Sequence, residues 1–113
     1  MIIPSRLRAL AVTALVAVAG GSLVALRGYR LGLTLSHYDA RGHLVVARRI
    51  IDSITPGWQQ IGAVWLPLPH VLNALPVQVD LFYRTGASAV ALSIASFALA
   101  TAAIWWIIST ATA

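Results

Sequence analysis

The chain has 113 residues, 59% of them hydrophobic and only 10% charged, and its mean hydropathy is +0.84. Soluble domains carry about a quarter charged residues, so this composition excludes an ordinary soluble globule and points to a membrane protein. The absence of cysteine excludes disulfides, thiolate chemistry and cysteine metal sites.

The net charge of +5 comes entirely from arginine set against aspartate. The arginines are scattered between apolar segments, and no basic cluster interleaved with aromatics occurs. That pattern argues against nucleic acid and for anionic or phosphate-bearing lipid headgroups.

The first apolar run is Ala9 to Leu26, uncharged, with Arg6 and Arg8 before it and Arg27 and Arg30 after it. A helix crossing the hydrocarbon core needs about 20 residues. The run meets this over about residues 7–26 if the flanking arginines snorkel. A cleaved leader would also suit the basic start and the small-residue site Ala17-Val18-Ala19. The apolar run continues past that site, so a retained transmembrane helix is the expectation.

From Gly28 to Arg84 the chain is too polar to span a membrane and too apolar for ordinary solvent. Residues 39–54 have helical period: Ala40, Leu44, Ala47, Ile51 and Ile54 share one face, while Arg41, Arg48, Arg49 and Asp52 lie mostly elsewhere. A helix with one greasy and one basic face tends to lie flat at a bilayer surface. Ser36 or Asp39 is the expected cap, and Thr55-Pro56-Gly57 the expected stop. A second short helix is expected over about residues 69–75, with Pro67 and Pro69 at its start and Pro76 at its end. Trp58 and Trp65 are candidate interface anchors.

The second long apolar run is Thr85 to Thr110, a transmembrane helix over about residues 85–110. Gly86, Ala89, Ser93, Ser96 and Ala100 recur at three- and four-residue steps, a small-residue stripe that another helix could meet closely. Trp105 and Trp106 would anchor its far end. The expected fold class is therefore an all-α membrane protein: two transmembrane helices joined by a loop with amphipathic interfacial helices.

Within the loop, Tyr38-Asp39-Ala40, His43-Leu44, Ala47-Arg48, Asp52, Thr55-Pro56-Gly57, Gln60, Gly62 and Trp65-Leu66-Pro67-Leu68 stand in one order, followed by Tyr83-Arg84-Thr85-Gly86. This pattern resembles the first large loop of membrane glycosyltransferases with the GT-C fold, the protein-mannosyltransferase-like group. Over nearly its whole length the chain resembles the amino-terminal portion of such an enzyme. The resemblance implies a polyprenyl-phosphate sugar as substrate and Asp39 as general base towards the acceptor, since a carboxylate can accept a hydroxyl proton as the acceptor attacks the sugar carbon. His43, four residues on, would share the helix face of Asp39 and assist it. Arg48, Arg49 and Arg84 would bind the carrier phosphate.

Each of these residues also has a structural reading. Asp39 serves equally as a helix cap, and the arginines as headgroup anchors. Asp39 and His43 have the spacing of a two-ligand metal site but lack a third ligand, so no metal is expected. His37 or His70 could each ligate the metal of a pigment, though an isolated histidine is a poor indicator. No cofactor is expected.

Two helices and a loop cannot by themselves enclose a lipid-linked sugar and an acceptor. The leading expectation is therefore a non-catalytic accessory or structural subunit of a larger membrane complex, derived from or resembling a truncated glycosyltransferase and packed against other transmembrane proteins, respiratory or photosynthetic complexes being examples. The alternatives are an amino-terminal fragment of a polyprenyl-phosphate-sugar glycosyltransferase and a small lipid- or pigment-binding subunit. The expected location is the cytoplasmic membrane or an equivalent one. The arginine count of the loop favours the cytoplasmic side, and the resemblance favours the opposite side; the latter is adopted.

Overall fold

A computed structural model describes residues 5–112. Among these residues there are helices and turns and no strand. Five α-helices follow one another: α1 (Ser5–Arg30), α2 (Tyr38–Arg49), α3 (Pro67–Asn73), α4 (Asp80–Thr85) and α5 (Ala87–Ala111). Short 3-10 turns occupy Trp58–Ile61 and Pro76–Gln78.

Both α1 and α5 are long and apolar enough to cross a membrane, and only 6% of the most apolar stretch of each is buried within the protein. Helix α1 outruns its expected span, taking in Ser5 and continuing through Arg30, whereas α5 begins two residues later than expected, at Ala87, and runs one residue further, to Ala111. The chain divides into two compact units.

The first unit joins the residues up to Arg27 with those from Ser93 onward. Here α1 and α5 meet where Gly21 offers no side chain: a Cβ on it would lie 3.3 Å from Cγ1 of Ile94. Ala17 and Ala98 are buried. The hydroxyls of Thr13 and Thr101 donate to Ala9 O (2.9 Å) and Phe97 O (2.8 Å) one turn back. Such back-bonding removes polar atoms from an apolar surface at little cost to the helix.

The second unit, Gly28–Leu92, holds the loop and the first turns of α5. Its core is Leu44 and Ala47 of α2 with Val77 of the second 3-10 turn, and Leu35, Tyr83 and Ala89 pack against it. The predicted greasy face of α2 thus points into a protein core. Helix α2 begins one residue before Asp39. Neither Ser36 nor Asp39 caps it; His37 does, its Nδ1 accepting from Asp39 N–H at 3.3 Å. Asp39 lies in the first turn, where a negative charge favours the helix dipole.

The helix ends at Arg49 instead of Ile54. Residues 51 and 52 both return their N–H groups to Arg48 O, and Gly57 N–H reaches Ile50 O at 2.8 Å. Gly57 has φ 142°, a conformation that favours glycine. Helix α3 starts at Pro67, two residues earlier than expected, because a proline at the first helical position gives up an N–H that has no helical partner. Helix α4 was not foreseen. It is separated from α5 by Gly86, whose left-handed conformation (φ 72°) ends α4 and admits Leu35 beside it.

Candidate functional site

The polar residues of the loop fall into three groups: one that closes the loop, one buried between helices, and one left open.

The closing group contains Arg48, Asp52, Thr55-Pro56-Gly57, Gln60 and Tyr83 of the motif. Gln60 Nε2 donates to Thr55 O (2.6 Å) and Thr55 Oγ1 (3.0 Å), and Gln59 Nε2 donates to Pro56 O (3.1 Å). These bonds tie Thr55-Pro56-Gly57 into a self-contained turn. Arg48 donates through Nε to Asp52 (3.0 Å) and through Nη1 to Asp80 (2.8 Å). Its guanidinium lies over the ring of Tyr83, 4.6 Å from the centroid, a cation–π geometry. Arg48, expected to hold a carrier phosphate, links α2 to α4. The hydrogen bond and charge of Arg48 hold the Asp80 carboxyl below its ordinary value of 3.8. Arg49 and Arg84, the other two expected phosphate ligands, are exposed.

The buried group joins α2 to α3. His70 is 1% exposed. Its Nδ1 is 3.1 Å from Leu66 O, and its Nε2 is 2.9 Å from His43 Nδ1. Trp65 lies against both imidazoles, with centroid distances of 4.6 Å to His43 and 5.7 Å to His70. The backbone of α2 approaches the indole closely at Gly42, where a Cβ would stand 2.7 Å from Trp65 Cη2. Burial pushes the His70 imidazole below its ordinary 6.5; the bond to Leu66 O opposes this, and His43 adds to the lowering. One turn further along α3, Asn73 donates to Pro69 O (3.0 Å) and accepts from Ser88 Oγ (2.9 Å), which fastens α3 to the start of α5.

The open group is Asp39 with His37. Their side chains are 58% and 78% exposed, and His37 Nδ1 is 3.8 Å from Asp39 Oδ2. No bond joins Asp39 to His43, although the two share one face of α2. The pairing of His43 with His70, 27 residues away, was not readable from spacing. The only hint was that both lie in the loop.

Among the described residues no three His, Cys, Asp or Glu side chains gather in a way that could hold a metal. Both ring nitrogens of His70 are engaged, which leaves no lone pair there for a pigment metal. Of the tryptophans read as interface anchors, Trp58 and Trp106 are exposed, Trp105 is half-buried, and Trp65 is committed to the histidine pair. In the small-residue stripe, Gly86 and Ala89 serve the loop, while Ser93, Ser96 and Ala100 are exposed.

No protein-family model, curated protein or solved structure matches this chain.

Proposed function

We propose that the chain is a non-catalytic, membrane-embedded component of a larger membrane assembly. In this reading α1 and α5 span the bilayer and the loop forms a folded cap on the non-cytoplasmic side. The observation that carries it is the 6% burial of the apolar stretch of each long helix. Side chains such as Leu15, Leu23, Val24 and Leu99, each about two-thirds exposed or more, need an apolar surrounding of lipid and neighbouring helices. The test is purification of the tagged chain from its own membrane in mild detergent. The expected result is stoichiometric recovery with defined membrane proteins. Recovery as a folded monomer free of other proteins opposes the reading.

A second reading has a specific observation in its favour. In it the chain supplies the acceptor side of a polyprenyl-phosphate-sugar glycosyltransferase, with Asp39 as general base. Arg48, Asp52, Thr55 and Gln60 of the motif are spent on closing the fold, whereas the Asp39 carboxylate stands open at the start of α2. A base must reach its substrate hydroxyl within hydrogen-bond distance, and an exposed carboxylate can. Sugar transfer would be measured in membranes carrying the whole assembly. Asp39→Asn should abolish transfer and leave the loop folded; unchanged transfer removes Asp39 as the base.

A further inference from the structure

We propose that His43 and His70 form a single-proton site, in which both rings are held as Nδ1–H tautomers and His43 Nε2 is the atom that takes the proton. The inference is independent of either functional reading above.

The tautomers follow from the end of the chain of bonds. A backbone carbonyl only accepts, so the 3.1 Å contact with Leu66 O requires the proton of neutral His70 to sit on Nδ1. His70 Nε2 is then a bare lone pair. At 2.9 Å from it, His43 Nδ1 must be the donor. Neutral His43 therefore keeps its own lone pair on Nε2. Among the described residues, Ser53 Oγ is the buried side-chain polar atom lacking a partner, and His43 Nε2 is not buried in that way. With no hydrogen-bond partner in the protein, His43 Nε2 opens to the surroundings.

Such a pair binds one proton readily and a second with difficulty. The first proton adds to His43 Nε2 and breaks no bond. The resulting imidazolium still donates through Nδ1 to His70, a charge-assisted bond, and the Trp65 ring 4.6 Å away can face the cation. The added charge is shared if the Nδ1 proton shifts across to His70 Nε2. A second proton would leave two N–H groups pointing at each other across 2.9 Å, with His70 charged while buried.

The surroundings supply no competing charge. Helix α3 carries no titratable group except His70, and no charged residue stands between Asp52 and Asp80. On α2 itself, Asp39 lies one turn before His43 and bonds His37, and Arg48 is held by Asp52 and Asp80. Arg84 of α4 acts on Asp80. The ligand is a proton, delivered by water or by the O–H of a bound hydroxyl compound.

Imidazole nitrogen NMR of the 15N-histidine-labelled full chain in detergent micelles tests this directly. At high pH, His43 and His70 should both show protonated Nδ1 and bare Nε2, with a coupling across the His43–His70 hydrogen bond. On acidification the His43 Nε2 signal should change first, and the pair should take up one proton before the cross-ring coupling is lost. In His70→Gln, His43 should lose its tautomer preference. A neutral His43 protonated on Nε2, or uptake of two protons by the pair in a single step, would overturn the proposal without recourse to any variant.

Discussion

Gly42 is the residue on which the histidine pair depends sterically. Its missing side chain lets the Trp65 indole lie against His43 and His70. In Gly42→Ala the indole must move, and overpacking of this kind costs about 1–3 kcal/mol. The expected result is earlier unfolding of the loop together with a shift in Trp65 fluorescence, measured with the other three tryptophans replaced by phenylalanine. Unaltered emission and stability would show that the indole has room to spare. Asp80 makes a pH prediction. Its carboxyl is held below 3.8 by Arg48, so the stability from this pair is full above the unfolded value and is lost as pH falls through the folded one. The protection of α4 amides, with the pH dependence of intrinsic exchange divided out, should therefore be steady down to about pH 4 and fall in stronger acid, and Asp80→Asn should remove that dependence. These residues also show how far sequence reasoning reached. The resemblance singled out Arg48 and His43, but their partners within the chain were not readable in the sequence. Asp80 is 32 positions from Arg48 and His70 is 27 from His43, and only folding brings them together.

At the level of elements, the long apolar runs were the most legible. Their length and lack of charge suffice, and α1 and α5 differ from expectation only at their ends. The loop was harder because helical period counts apolar residues without saying what they face. Ile51 and Ile54 continue the period of α2, yet the helix stops before them and Ile54 is fully exposed. Pro56 disfavours helix at Thr55, and the turn built around Gly57 draws the chain back to Ile50. The small-residue stripe of α5 likewise divides. Ala89 packs against the loop core, so Ala89→Leu would disturb the chain itself. Ser96 and Ala100 are exposed and give the cleaner test. Leucine at both positions should preserve insertion, since it inserts readily, and should cut the recovery of partner proteins several-fold in mild detergent. Full recovery would mean that the partner face of α5 lies elsewhere.

For the whole molecule the main expectation is topological. The chain has no cysteine, so single cysteines at Ser5 and at the fully exposed Ile54 report independently. In sealed vesicles of known orientation, an impermeant thiol reagent should reach position 5 from the cytoplasmic side and position 54 from the opposite side. Labelling of position 54 from the cytoplasmic side alone would reverse the proposed orientation, as the arginine count of the loop would have it.

Helix α5 has its first turns inside the loop unit and continues into the other, with Ser88 gripping Asn73 and Ala89 seated on the core. Each residue of an α-helix turns it by about 100°. The bond from Ser88 to Asn73 therefore fixes which side of the opening turn of α5 meets α3, the short helix that also carries His70. One residue added between Asn73 and Ser88 would have to be absorbed by the turns around Pro76 and Gly86 for that register to survive.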